Sequence, residues 1–278
     1  MNDARHLAWG AQELWQQLSP LLPGLSIEVM ARLESTNTEL LNRARAGDAR
    51  GRRSDDTLPC LLVAEHQTHG RGRQGRDWVA APGRSLTFSL LLKLAPVSWS
   101  GLSLAVGCAL ADALDTGSEP HRPRLALKWP NDLWLLDAPG RGRKLGGILI
   151  ETVTVGTHRM AVVGVGLNVQ PQPAEGLAHG YASLAELDPA LDAPAVLATV
   201  ARPLVQALQR FEAEGFPPFR APFARRDLLQ GQPLVALGAG APLEGWGEGV
   251  DSDGSLLLRT ADGRHHRIGS GEVSIRLR

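Results

Sequence analysis

Glu65-His66-Gln67-Thr68-His69-Gly70-Arg71-Gly72-Arg73-Gln74-Gly75-Arg76-Asp77-Trp78 follows directly on the apolar run Cys60–Ala64. Three glycines and three arginines share the seven positions from Gly70 to Arg76. Glycines at that density let a backbone turn tightly and bring its N–H groups up to a ligand. Arginines at that density have no apolar face to bury, and their planar forks suit carboxylate and phosphate. Formally, Gly70-x-Gly72-x-x-Gly75 is the dinucleotide fingerprint of a doubly wound parallel sheet. That fingerprint must open a helix and carry an acidic ribose partner about 20 residues on. Here Asp77-Trp78-Val79-Ala80-Ala81-Pro82-Gly83 reads as loop, and no acidic residue occurs from Trp78 through Ala111. The doubly wound fold is therefore set aside, and the stretch is expected to be an anion-binding loop.

Outward from this loop, alternating and short apolar runs predict strands at 26–32, 60–65, 86–94, 125–128, 133–136, 145–154 and 160–169. Helices are expected over 5–18, from a capping box at Thr36-Asn37-Thr38-Glu39 to about Ala46, and over 98–114 and 194–214. Residues 50–57 read as polar loop. Hairpin-like succession of strands, with helices between some of them, predicts an α+β fold with a mixed, largely antiparallel sheet. Composition shifts near Gln230-Gly231-Gln232-Pro233. Beyond it come short strands at 234–237, 245–250, 255–259, 264–268 and 273–277, with hairpin signals at Asp253-Gly254 and Asp262-Gly263. We expect a large domain over 1–230 and a small β-barrel over 231–278.

The 278 residues carry equal numbers of acidic and basic side chains, so no global charge draws the chain to nucleic acid or membrane. The most apolar region, 86–113, is broken by Lys93, Pro96, Gly101 and Gly107. A membrane-spanning helix needs about 20 uninterrupted apolar residues. Cys60 and Cys108, both in apolar runs, suggest no disulfide framework and a cytoplasmic setting. Lys93, Lys128 and Lys144 are the only lysines beside many arginines, and two of them fall in one motif region. Where such a chain keeps lysine, a compact ammonium is called for.

Each motif has a structural reading beside its functional one. Ser35-Thr36-Asn37 stands where a strand gives way to a helix; it caps the helix, and it can also bind a polar ligand head. Gly164-Val165-Gly166-Leu167-Asn168 lies in a strand, where glycine signals a bulge or a close approach to the backbone. Gly146-Gly147 in the preceding strand favours the second, because the two strands can pair into a smooth trough. Trp129-Pro130-Asn131-Asp132 reads as a tight turn, though Lys128 and Trp129 beside it argue for more than a turn. His66 and His69, at strand spacing, point to opposite faces and find no third ligand nearby, which argues against a metal site.

Taken together, Ser35-Thr36-Asn37, the Gln67–Trp78 stretch, Lys128-Trp129-Pro130-Asn131-Asp132, Lys144-Leu145-x-Gly147-Ile148-Leu149 and Gly164-x-Gly166-x-Asn168 resemble the biotin protein ligases. The motifs occur in that family's order. The tail, ending Ser270-Gly271-Glu272-Val273-Ser274, resembles its small SH3-like domain. The resemblance implies a catalytic domain related to class II aminoacyl-tRNA synthetases. It implies that biotin and ATP, with Mg²⁺, form biotinyl-5′-AMP, which acylates one lysine of a biotin carboxyl carrier domain. It implies that Ser35, Thr36, Asn37, Gln67, Gly70, Arg71, Gly72 and Arg73 hold biotin, with Gly147, Leu149, Gly164 and Gly166 beneath it. Lys144 would bridge biotin's carboxylate and the α-phosphate, acting with Arg73 in catalysis. Arg73, Arg76, Trp78, Asn131, Lys144 and Asn168 match nucleotide-side positions. No metal site made by protein alone is implied, the magnesium coming with ATP.

There are departures from the family's pattern. Ala138 to Arg143 reads as a lengthened hairpin tip, and Gln74 stands where basic residues are common. About 25 residues precede the first strand, too few for a helix-turn-helix head, so no DNA partner is expected. A lipoate ligase on a related fold is the closest rival. A nucleic-acid-binding module is the more distant one, and it wants aromatics among basic residues on the barrel; the tail has only Trp246.

Overall fold

The computed structural model describes residues 7–49, 57–116, 123–172, 180–238, 240–271 and 273–277. The chain packs as two units, one of residues 1–95, 146–176 and 182–205, the other of residues 96–145, 177–181 and 206–278.

In the first unit, β1 (Ser26–Met30) runs parallel to β2 (Cys60–Ala64). β2 is antiparallel to β5 (Ser85–Lys93), β5 to β9 (His158–Asn168), and β9 to β8 (Arg141–Val155), which enters from the second unit. The order is β1-β2-β5-β9-β8, the mixed and largely antiparallel sheet expected. Every residue of β5 except Lys93 is buried. Helix α1 (Ala11–Leu18) lies on β1, and α2 (Thr36–Ala49) lies on β2, β5 and β9. Helix α2 puts Leu40, Leu41 and Ala44 against Leu62, Leu91, Met160 and Val162. Each fully buried leucine there contributes about 2 kcal/mol.

Helix α1 begins at Ala11, later than expected, because Gly10 takes a left-handed φ of 56°. The cap of α2 also differs from the sequence reading. Ser35 Oγ, and not the Thr36 hydroxyl, accepts the Thr38 N–H at 3.4 Å. Gly70–Arg71 (β3) and Asp77–Trp78 (β4) pair as a small hairpin, so the start of the segment read as loop is strand. The polar loop expected at 50–57 lies, up to residue 56, outside the described residues, as do residues 5 and 6 and Glu272.

In the second unit, α3 (Leu102–Leu114) packs on β6 (Leu125–Lys128) and β7 (Asp132–Ala138). β6 and β7 pair antiparallel, and the start of β8 follows beside β7. The expected lengthened tip between β7 and β8 is a tight turn. Gly140 at φ 71° closes it, and the flanking residues continue the strands. Helix α4 (Ala193–Glu214) runs on from the first unit. Helix α5 (Pro217–Ala224) escaped the sequence reading, because its three prolines argue for a turn. Pro217 sits in the first turn, where the missing N–H costs nothing, and Phe219 and Phe223 are buried. Strands β10 (Pro233–Leu237), β11 (Leu243–Val250), β12 (Leu256–Arg259), β13 (His265–Ile268) and β14 (Ser274–Leu277) form a five-stranded antiparallel sheet, in the order β13-β12-β11-β10-β14. Gly254 and Gly263 take left-handed φ at its two expected hairpin turns.

One buried carboxylate works against this unit's stability. Asp227 Oδ1 accepts the Leu229 N–H at 2.9 Å, while Oδ2 is shut from solvent with no partner among the described residues. Burial pushes the carboxyl up to about 6. A carboxyl raised in the folded state penalises folding above that value, and the penalty fades as pH falls toward 4. A rise of that size costs about 3 kcal/mol at neutral pH, and relieving it is offset by the buried amide donor that asparagine would introduce, about 1–3 kcal/mol. Asp227→Asn should therefore raise the thermal midpoint slightly at pH 8, by about 1 kcal/mol in stability. Near pH 4, where the carboxyl penalty has faded and the amide cost of about 1–3 kcal/mol remains, the substitution should instead destabilise, as a thermal melt at the two pH values would read.

Candidate active site

In the first unit, several candidate residues meet in one buried polar cluster. Ser89 lies in the central strand β5 and is wholly buried. A hydroxyl there costs about 1–3 kcal/mol unless it is paired. Its Oγ lies 2.6 Å from Thr36 Oγ1 and 2.6 Å from Asn37 Oδ1. Gln67 Oε1 accepts the Thr36 N–H at 2.7 Å and lies 3.1 Å from the Thr36 hydroxyl. Four side-chain oxygens thus share two hydroxyl protons and one backbone N–H. A hydroxyl carries one proton, so the cluster keeps acceptor capacity for donors that a ligand brings. Ser89 was not singled out from sequence, since a serine between Phe88 and Leu90 carries no motif. Its one signal is polarity inside the run Leu86-Thr87-Phe88-Ser89-Leu90. Thr87 in the same run is satisfied locally, its hydroxyl donating to Ala64 O at 2.9 Å.

The floor beside this cluster is the β8–β9 ladder, where Gly147 pairs with Gly166 and Leu149 with Gly164. The expected pairing of two glycine-bearing strands is present, and its bare backbone is closely approached. A Cβ on Gly164 would stand 2.2 Å from Asn37 Oδ1, and one on Gly166 2.5 Å from the Trp78 indole. Either contact is far inside van der Waals distance, so a side chain at either position would push the Asn37 amide or the Trp78 indole aside, and glycine fits both. Trp78 Nε1 is buried and has no partner among the described residues, a donor lying against the glycine floor. Gly70 is obliged to be glycine: a Cβ would meet Trp78 O at 2.4 Å and Gln67 Nε2 at 3.0 Å.

The arginine loop is a hairpin tip. The Gly72 N–H donates to Arg76 O at 2.7 Å, and Arg73–Gly75 form one tight turn. Gln74 takes a left-handed φ of 56°, unusual for a residue with a Cβ, and its side chain accepts from Arg76 at 3.3 Å. Arg71 points to its own chain: it pairs with Glu151 at 3.0 Å and donates to Thr38 Oγ1 at 3.2 Å. Asn168 is buried, its side-chain amide donating to Ala182 O at 3.0 Å.

The remaining candidates belong to the second unit. Lys128 and Asp132 pair across the β6–β7 ladder, and residues 129–131 form the expected turn. Trp129 is buried, and its indole N–H donates to Gly254 O at 3.0 Å, so its part is structural. Buried Lys128 places its ammonium 4.9 Å from the centre of the Trp134 ring, a cation–π contact. Asn131 lies in the turn itself and is half-buried. Lys144, in β8, is partly exposed, with its ammonium 2.7 Å from Asp132 Oδ1. Both cysteines are buried, and burial pushes the Cys60 thiol up to about 11 and the Cys108 thiol to about 12, which disfavours the thiolate. Among the described residues, no helix is long and apolar enough to cross a membrane.

The sequence profile of the Biotin/lipoate A/B protein ligase family matches residues 29–168, and that of the Biotin protein ligase C terminal domain matches residues 231–276. The chain is 33% identical to the Bifunctional ligase/repressor BirA of Escherichia coli, over 94% of this chain and 77% of that protein. It is 32% identical to the Biotin--[acetyl-CoA-carboxylase] ligase of Mycobacterium tuberculosis, over 95% of this chain and 91% of that one. A solved biotin protein ligase from Aquifex aeolicus, in complex with biotin and ATP, superposes with a TM-score of 0.72 at 27% identity. That match covers 91% of this chain and 99% of that structure. The chain belongs to the biotin/lipoate A/B protein ligase family, and within it to the biotin protein ligases.

Proposed function

We propose that this protein joins biotin's carboxylate to the α-phosphate of ATP, releasing pyrophosphate and giving biotinyl-5′-AMP, and then passes the biotinyl group to one lysine of a biotin carboxyl carrier domain, releasing AMP. The observation that carries this reading is the buried cluster of Thr36, Asn37, Gln67 and Ser89 beside the Gly147–Gly166 floor. Its surplus of acceptors suits a cyclic urea, which brings N–H donors. It does not suit the dithiolane of lipoate, which brings none, and burying unserved polar groups against such a head would cost about 1–3 kcal/mol each. Ser35 supports the cluster by capping α2.

Adenylation joins two anions, so positive charge must gather where the carboxylate meets the α-phosphate. In this reading Lys144 supplies a point charge there, held in place by Asp132. Arg73 and Arg76 face the phosphates from the loop, with Gly72 and Gly75 letting the backbone come near. Asn131, Asn168 and Trp78 lie on the nucleotide side. The mixed anhydride is reactive, so the loop also keeps water out. Magnesium takes oxygen ligands and commonly binds through substrate phosphates. In this reading the phosphates of ATP bring the ion. Residues 1–230 would form the catalytic domain and 231–278 the small SH3-like one. Two buried free thiols fit a reducing, cytoplasmic setting.

Offered a purified biotin carrier domain with magnesium and ATP, the protein should label a single carrier lysine with biotin and leave lipoate unused. Labelling with lipoate in preference to biotin would overturn the assignment of the head group.

A further inference from the structure

Glu151 belongs to none of the sequence motifs of the site. It follows the Leu149 position on β8, two residues on and on the same face of the strand. Its two carboxylate oxygens serve different elements. Oε2 accepts from Asn37 Nδ2 at 3.0 Å, and Oε1 accepts from Arg71 at 3.0 Å. The other proton of the Asn37 amide goes to Leu149 O at 3.1 Å. With both N–H groups committed to acceptors on β8, the amide has one orientation left. Its Oδ1 must face Ser89 and Gly164, and so offers an acceptor to the polar cluster. Arg71, for its part, is the residue of β3 from which the arginine loop departs. One carboxylate therefore sets the direction of an amide in the cluster and ties down the stem of the loop.

We infer that Glu151 is a positioning residue, acting through Asn37 on the recognition of biotin's head group and through Arg71 on the anchoring of the 72–76 loop. The inference rests on the biotin reading only for its first half. Glutamine is the same size as glutamate but has one acceptor oxygen, so it can serve Asn37 or Arg71 and not both. Its second terminal atom is a donor, which repels the donor it faces.

The test uses the whole protein and the Glu151→Gln and Arg71→Ala variants. First, limited trypsin digestion without ligand reads cleavage after Arg73 and Arg76. Both variants should be cut several-fold faster than wild type, and the double variant no faster than either single one. Second, initial rates of biotin-dependent pyrophosphate exchange are measured against biotin and against ATP. Glu151→Gln should raise the KM for biotin about tenfold, the effect of losing one charge-assisted hydrogen bond, with the KM for ATP and kcat changed less than threefold. A merely structural defect would lower the active fraction, and so kcat, and leave the KM for biotin where it was. Wild-type cleavage rates overturn the anchoring role. A kcat loss with an unchanged KM for biotin overturns the head-group role. Should the wild-type protein show no exchange with biotin, the functional reading and the head-group role fall together, while the digestion still decides the anchoring role.

Discussion

Lys144→Ala should lower biotin-dependent exchange of pyrophosphate into ATP by about 10²-fold or more, the usual cost of removing one preorganised charge contact, and leave the thermal midpoint within a few degrees of wild type. The two halves of this expectation have separate grounds. The Lys144 side chain is partly exposed, and its pairing with Asp132 at 2.7 Å is a partly solvated ion pair. Such pairs contribute about 0–1 kcal/mol to folding. The same ammonium at a phosphate in a site closed to water is worth far more, because charge develops there only in the reaction. Lys144→Arg should restore little, since a planar fork does not occupy the position of a point charge. Steady-state exchange rates with a thermal melt check both halves. Wild-type turnover in Lys144→Ala would remove the residue from the chemistry.

Arg73→Gly should release biotinyl-AMP and so spread biotin over bystander proteins. Arg73 opens the single tight turn at the tip of the β3–β4 hairpin. Ordering a glycine-rich tip over a ligand costs backbone entropy of about 1–2 kcal/mol per residue, and arginine contacts to the ligand must offset it. Without them, adenylation should persist in part and the anhydride should escape to solvent. Streptavidin blots after incubation with a lysine-rich bystander read the outcome. The chain supplies its own control: with Lys93, Lys128 and Lys144 as its only lysines, it should label itself weakly while the bystander labels strongly. Loss of carrier and bystander labelling together would make Arg73 catalytic and not retentive.

Much of this architecture was legible in the residues. Apolar runs mark Cys60–Ala64 in β2, Leu125–Leu127 in β6 and, with two glycines among them, Met160–Leu167 in β9, and such runs suit strands buried on both faces. The barrel strands stood out through their turns, because Gly254 and Gly263 mark positions where only a left-handed φ closes the hairpin. Other elements were hidden for physical reasons. Three prolines masked α5, although proline is tolerated in a first turn. The two-residue strand Asp77–Trp78 exists by virtue of its partner Gly70–Arg71, and a pairing that short leaves no periodicity. At the site, the glycine floor and the Ser35–Asn37 segment were readable because glycine and consecutive small polar residues are conspicuous in their settings. The division of labour within that segment was not. Ser35 caps the helix, and Thr36 faces Gln67 and Ser89, because only the folded chain shows which hydroxyl turns inward. Ser89 and Glu151 were missed together: each is a polar residue with no motif around it, and its meaning comes from a neighbour 52 or 114 positions away.

The most direct test of the central claim is exchange of radiolabelled pyrophosphate into ATP by the purified protein with magnesium, in the presence and absence of biotin. Exchange that depends on biotin and is not supported by lipoate is the expected result. No exchange with biotin, or exchange driven by lipoate in its place, would contradict it.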